Sequence, residues 1–126
     1  MKVALFSIKP CYAWAILDGS KRYEYRKTKM NSAVNTIYIY ATAPIQRVVG
    51  CVQLKRCISA SPDIVWTATR QYAGLDRRTF DCYFSNANQA YAYELSCPIR
   101  YSQPRLLSDY GLIRPPQSFC YVEEIC

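Results

Sequence analysis

The 126-residue chain contains no histidine. That absence excludes Ser-His-Asp and Cys-His catalysis, histidine-ligated zinc and imidazole proton shuttling. No apolar run approaches the roughly 20 residues needed to span a bilayer. The opening Met1-Lys2-Val3-Ala4-Leu5-Phe6 carries one basic residue, but Lys9 and Pro10 arrive before the apolar core of a signal peptide can form. A cytoplasmic protein without a membrane partner is expected. Cysteines stand at 11, 51, 57, 82, 97, 120 and 126, and no two are spaced as C-x-x-C, which leaves zinc-ribbon and thioredoxin-like chemistry without support. Their number is odd and most have apolar neighbours, as in Gly50-Cys51-Val52 and Phe119-Cys120-Tyr121. That pattern predicts free thiols buried as small hydrophobes, with Cys126 an exposed exception. The acids are scattered and no motif gathers three oxygen ligands, so neither a metal nor a cofactor is expected. Nor is there a repeat, a low-complexity segment or a linker, and residues 1–126 read as one domain.

What is present is a globular composition, 51% hydrophobic and 20% charged. The aromatics are mostly tyrosine, 12 against 4 Phe and 2 Trp, a residue suited to half-wet grooves. The net charge of +7 makes a polyanion a reasonable partner. The charge is also uneven. Residues 1–56 carry ten Lys/Arg against two acids, and residues 57–126 carry six against seven.

Residues 2–8 read as an apolar strand. Pro10 suits the first turn of a helix and Gly19 its stop, with Ala13, Ile16 and Leu17 at helical spacing between them, so a short helix is predicted over 10–18. Arg22, Glu24 and Arg26 then alternate with Tyr23, Tyr25 and Lys27, a strand with one charged face. After a polar loop at 29–32, strands are predicted at 36–42 and 47–54, with Gly50 marking a bulge or a close backbone approach. Tyr38 and Tyr40 share one strand face, which is the face available to a groove; the other is core. Ser61-Pro62-Asp63 starts a helix, and a second covers 77–84. Strands at 89–95 and 119–122 follow, with Pro98, Pro104, Pro115 and Pro116 assigned to loops. Trp14 and Trp66 fall within apolar helical patterns and are assigned to the core. Five or six strands without regular βαβ alternation indicate an α+β fold with a small, partly closed mixed β-barrel.

Lys21, Arg22, Arg26, Lys27 and Lys29 crowd a short stretch with Tyr23 and Tyr25 interleaved. Basic groups neutralise phosphates and aromatic faces stack on bases, a pairing suited to single-stranded or flipped nucleotides. A solvated edge strand protected by lysines has the same pattern. Glu24, between Arg22 and Arg26, is held ionised either as an ion-pair ladder or as an acceptor for a base edge. Spacing leaves both open.

Gly19-Ser20-Lys21-Arg22-Tyr23-Glu24-Tyr25-Arg26 resembles the G-x-K-x-x-E-x-R signature of ASCH domains, which are PUA-like barrels. Ser7-Ile8-Lys9-Pro10 resembles the family's opening strand and helix start. Ile39-Tyr40-Ala41-Thr42-Ala43-Pro44 with Val48-Val49-Gly50 resembles its central hairpin, and Pro115-Pro116-Gln117-Ser118-Phe119 a closing segment. The resemblance implies a barrel with a cleft beside the first helix, lined by Lys21, Glu24 and Arg26 with Lys9 at its mouth. It also implies nucleic-acid binding, RNA before DNA. Lys9, Lys21, Arg22 and Arg26 would hold phosphates, Glu24 would accept from a base or ribose hydroxyl, Tyr23 or Tyr40 would stack, and Thr42 and Ser118 would add contacts. Some members are similar to ribonucleases, and a small branch hydrolyses an acetylated cytidine with a threonine nucleophile. That threonine position is Glu24 here, which removes the hydroxyl of the covalent route. A metal-independent hydrolase acting on RNA or a modified nucleoside, with Lys21 and Glu24 catalytic, is the alternative. A third reading is a domain that docks a nucleotide-like ligand or an acidic protein.

Overall fold

In the computed structural model, residues 2–31 and 33–125 are described. Cys126, expected as an exposed thiol, and Ser32 of the polar loop lie outside the described residues.

Strand β1 (Lys2–Ile8) runs into helix α1 (Pro10–Asp18), which starts on Pro10 and stops on Gly19. Gly19 adopts φ +88°, the left-handed region open to glycine, and its N–H donates to the Ile16 carbonyl at 3.2 Å. Then follow β2 (Tyr23–Arg26), β3 (Thr36–Ala41) and β4 (Arg47–Ala60). Helix α2 (Pro62–Thr69) leads through a 3₁₀ turn, Arg70–Tyr72, to helix α3 (Arg77–Tyr83), whose N-cap Asp76 accepts from the Thr79 N–H at 2.8 Å. Strand β5 (Ala90–Arg105), a 3₁₀ turn at Leu107–Tyr110 and β6 (Phe119–Glu123) complete the order. The six strands form one curled half-barrel sheet, β2-β5-β4-β3-β1-β6, in which β1 and β3 are parallel and the other pairs antiparallel. With three helices packed on it, the fold is α+β, as expected.

Alternation along the strands sorts the apolar residues into three clusters. Phe6, Ile8, Ile37, Ile39, Val52 and Tyr93 fill the concave face beneath Ala13 and Ile16 of α1. Tyr25, Ala90 and Ala92 bury the other face of β2 and β5 against Val65, Phe80 and Phe84 of α2 and α3. Val3, Leu5, Tyr38, Tyr40 and Val48 form the third cluster, covered by Leu107, Tyr110 and Leu112. Both faces of β3 are therefore core, because the chain after β5 folds back over the face that alternation had left open. No described helix is long and apolar enough to cross a membrane.

Strands β4 and β5 are much longer than their sequence patterns suggest. Pro98 and Pro104, expected in loops, lie inside β5, and both fall where the register slips. Pro98 lies between the pairs Gln53↔Ser96 and Cys51↔Ile99, beside Cys97 at φ +51°, and Pro104 lies between Gly50↔Arg100 and Val48↔Arg105. A proline at a bulge takes no donor from a regular ladder. Gly50 makes the close approach its position predicts: a Cβ there would lie 2.3 Å from the Ile99 carbonyl oxygen and 2.7 Å from Leu17 Cδ2. The described cysteines are free, but the expected burial is corrected. Cys11, Cys82 and Cys97 are exposed, and Cys51, Cys57 and Cys120 only half-buried, because apolar neighbours in sequence point to the opposite strand or helix face.

Candidate functional site

The signature segment leaves α1 at Gly19 and is fixed by its backbone before any side chain acts. Lys21 N donates to the Ala15 carbonyl at 3.0 Å, Arg22 N to that of Tyr72 at 2.9 Å, and Leu95 N to that of Arg22 at 2.8 Å. The Lys21 side chain is thereby sent inward, and only 1% of the residue is exposed. Its Nζ donates to the Ala73 carbonyl at 2.5 Å, lies 3.8 Å from Glu24 Oε1, and is flanked by the rings of Tyr12 at 5.2 Å and Tyr25 at 5.1 Å. Gly74, at φ +72°, passes directly over the lysine stem. Burial lowers the Lys21 pKa; the Glu24 carboxylate opposes that shift and the Arg26 guanidinium adds to it.

Glu24 and Arg26 share one face of β2, and the face expected to be solvated is turned inward. Arg26 Nη1 donates to Glu24 Oε2, and their side chains are 11% and 8% exposed. The same guanidinium donates to the Tyr25 carbonyl at 2.9 Å and the Ser7 carbonyl at 3.0 Å, and lies 5.0 Å from the Phe6 ring centroid. Its Nε is buried without a hydrogen-bond partner among the described residues. In the sheet order β2 is one edge and β1 lies next to the other, so the Arg26–Ser7 bond spans the open seam of the half-barrel. Tyr93 secures the neighbouring loop: its hydroxyl donates to the Thr28 carbonyl at 2.9 Å and accepts from Met30 N–H at 2.7 Å.

Lys21, Glu24 and Arg26 are thus one network, and of these expected cleft residues Lys21 lines, with Arg22, a cavity of about 300 Å³ at the end of α1. Ser118 is brought near it through the backbone: its carbonyl accepts from Ser7 N–H at 3.0 Å, beside the strand that Arg26 grips. Thr42 is half-buried at the end of β3, its N–H donating to the Ile8 carbonyl at 3.0 Å. Lys9 is exposed at the start of α1, and its carbonyl accepts from Ala13 N–H. Arg22 is exposed, whereas Tyr23 is half-buried against the α2–α3 cluster. Tyr40 is not brought to the network, since it is 2% exposed within the third core cluster.

Sequence reasoning missed five positions. Tyr12 and the Ala73–Gly74 pair enclose Lys21, and Tyr72 and Tyr83 supply the accessible rings. The Arg22 guanidinium lies 4.0 Å from the Tyr72 ring centroid, and Lys27 Nζ lies 4.7 Å from that of Tyr83. Cation–aromatic pairs therefore flank β2 at both ends. Nothing local links residues 72–83 to the basic segment; only the packing of β2 beside α2 and α3 does.

A curled six-stranded half-barrel, with a helix after its first strand and a buried Lys–Glu–Arg network on its edge strand, defines a small PUA-like domain. The chain belongs to the ASCH domain family, whose model matches residues 6–105. It is similar to an ASCH domain-containing ribonuclease of Zymomonas mobilis, 29% identical over 127 aligned positions that cover 98% of this chain and 86% of the relative. The crystal structure of a serine-to-alanine mutant of the Zymomonas mobilis ASCH protein superposes with a TM-score of 0.88 at 25% identity, covering 96% of this chain and 88% of that one. The N-terminal domain of Staphylothermus marinus McrB shares the fold alone, with a TM-score of 0.52 at 13% identity over 90% of this chain and 80% of that domain.

Proposed function

We propose that this ASCH domain binds single-stranded RNA in the cytoplasm, with residues 1–126 acting as one domain and the strand lying along the flank of β2. The observation that carries the reading is the pairing of Arg22 with Tyr72 and of Lys27 with Tyr83 on either side of the buried network. Each pair offers a charge for phosphate and a ring for a base. Lys9, at the start of α1, extends the cationic surface. Glu24 and Arg26 hold β2 in place and, in this reading, meet RNA only at the margin of that surface.

A second reading, cleavage of the bound RNA, is favoured by the 29% identity to a ribonuclease over 98% of the chain. A lysine with a lowered pKa, in its neutral form, suits taking the ribose 2′-hydroxyl proton as that oxygen bonds to the adjacent phosphorus and the P–O5′ bond breaks. The lysine then returns the proton to the leaving 5′-oxygen, giving a 2′,3′-cyclic phosphate and a 5′-hydroxyl, and the nearby Arg26 suits the phosphate charge. Ala73 and Gly74 must move off Lys21 for this to happen.

One experiment separates the readings. End-labelled single-stranded RNA is titrated with wild type, an Arg22→Ala/Lys27→Ala double variant and Lys21→Ala, with and without chelator. Log affinity should fall with log salt by roughly 0.7 for each phosphate neutralised, and the double variant should lose about 1.4 of that slope. A flat salt response refutes RNA binding. Cleavage by wild type that persists in chelator and disappears in Lys21→Ala makes the protein a ribonuclease; RNA bound but intact makes it a binding module.

A further inference from the structure

Tyr12 and Trp14 stand two positions apart on α1, about 200° around a helix of 3.6 residues per turn. Tyr12 faces Lys21, so Trp14 points to the other flank. There the structure forms a groove of about 380 Å³ lined by Trp14, Val49, Arg100, Tyr101, Ser102 and Pro104. We propose that this groove is a nucleotide-binding subsite, in which a nucleobase stacks on Trp14 and its phosphate is held by Arg100.

The wall opposite Trp14 is made by the irregularity of β5. Between the pairs Gly50↔Arg100 and Val48↔Arg105, residues Tyr101 to Pro104 face Val49 alone on β4. The surplus residues leave the ladder and turn outward, which carries Ser102 and Pro104 to the groove. Trp14 is half-buried and packed against the core, with the Arg100 guanidinium over its ring, so a base stacks there as that guanidinium swings off the indole to the phosphate. The Arg100 guanidinium lies 4.4 Å from the Trp14 ring centroid and is exposed, and no carboxylate pairs with it among the described residues. An uncompensated guanidinium beside a flat indole matches a ligand that is anionic at one end and aromatic at the other. The groove holds no acidic side chain to repel a phosphate, and Ser102 adds a hydroxyl for a base edge or ribose. Its volume lies at the small end of ligand sites, which suits one nucleotide rather than a duplex. That nucleotide is either free or an unstacked residue of an RNA strand.

The inference rests on this groove and not on RNA held at Arg22 and Lys27. It is tested in a Trp66→Phe background, which leaves Trp14 as the sole tryptophan fluorophore. The emission is titrated with AMP, GMP, CMP and UMP, with ribose 5-phosphate, and with an oligouridylate. At least one ligand carrying a base should quench saturably, whereas ribose 5-phosphate should not. Arg100→Ala, at an exposed site, should weaken that binding about ten-fold, the loss expected for one charge-assisted phosphate contact. Calorimetry on the wild-type chain and Trp14→Ala should show a loss of similar size for the stack. Quenching by mononucleotides identifies a free-nucleotide site; quenching by the oligouridylate alone identifies a pocket for one residue of a strand. Quenching by none of them, or quenching that Arg100→Ala leaves unchanged, overturns the proposal. Mononucleotides should quench the Arg22→Ala/Lys27→Ala variant as they quench the parent, so this subsite and the β2 surface fail separately.

Discussion

Gly74 should tolerate no side chain, and alanine there should cost more than at any other glycine of positive φ. Two effects combine. At φ +72° an L-residue is strained by about 1–2 kcal/mol. In addition, a Cβ at Gly74 would lie 2.5 Å from Lys21 Cγ, 2.6 Å from its Cβ and 2.7 Å from its Cδ. Those atoms cannot swing aside, because Lys21 is buried and its Nζ is held by Ala73 and Glu24. Forcing such a contact typically adds about 1–3 kcal/mol. Gly74→Ala should therefore lose about 2–5 kcal/mol, a fall in Tm of about 8–19 °C for a domain of this size.

Gly19 is the control. Its φ of +88° carries the same backbone strain, but nothing lies within 4 Å of its added Cβ, so Gly19→Ala should lose only about 1–2 kcal/mol. Urea denaturation of both variants, and of Gly74→Ala combined with Lys21→Ala, closes the argument. Lys21→Ala removes Cγ and Cδ but leaves its own Cβ 2.6 Å from the added methyl, so it should relieve part of the clash, making the double variant more stable than the two single losses add up to by about 0.5–1.5 kcal/mol. Equal losses at Gly19 and Gly74, with no coupling to Lys21, would refute the claim that residues 73–74 clamp the lysine.

Glu24→Gln should lose about 3–5 kcal/mol, because it leaves Lys21 and Arg26 buried without a counter-charge; Lys21→Met, which keeps the Glu24–Arg26 pair but leaves the Ala73 carbonyl without its donor, should cost about 1–3 kcal/mol, and chemical denaturation will reveal any reversal of that order. Arg26→Lys cannot reach Glu24 and the Tyr25 and Ser7 carbonyls together, so it should lose about 2 kcal/mol and speed hydrogen exchange at the adjoining ends of β1 and β2. Burial raises the pKa of Tyr25 and of Tyr93 to about 12, so the folded state keeps those protons after the unfolded chain has lost them near pH 10. Stability should fall between about pH 10 and 12 by roughly 2–3 kcal/mol per tyrosine, and Tyr25→Phe should flatten that fall in pH-dependent denaturation. The lowered Lys21 pKa acts with the opposite sign, adding stability as pH rises towards about 10.5, which leaves the decline steepest above that value.

The sequence is informative where one local rule decides. Pro10 and Gly19 bound α1 because fixed φ and free φ leave few alternatives, and Gly50 signals a close approach because only a residue without Cβ fits against Ile99 and Leu17. It is less informative where two distant segments decide. Pro98 and Pro104 read as strand breakers, but β4 accommodates them by slipping its register, which no local pattern encodes. Tyr40 alternates like a groove residue until residues 107–112 fold over it. Arg22, Glu24 and Arg26 read as one solvated stripe, yet backbone bonds from Tyr72 and Leu95 hold the segment so that only Arg22 stays outside.

That division bears on what the octapeptide signature means. Its four specified positions all have structural work in this fold. Gly19 ends α1 in the left-handed region, Lys21 anchors the Ala73 carbonyl, Glu24 neutralises two buried cations, and Arg26 spans the seam to β1. The unspecified positions include the ones that face out, Ser20 and Arg22. A chain can therefore need the signature in order to close its half-barrel, whatever it binds. Identity at Gly19, Lys21, Glu24 and Arg26 argues for the fold. In the proposed reading, ligand choice rests on what lies around them: the Tyr72 and Tyr83 rings, the exposed cations beside those rings, and the Trp14–Arg100 groove on the far flank of α1. Substitutions at the first set should register mainly as stability, and those at the second mainly as affinity.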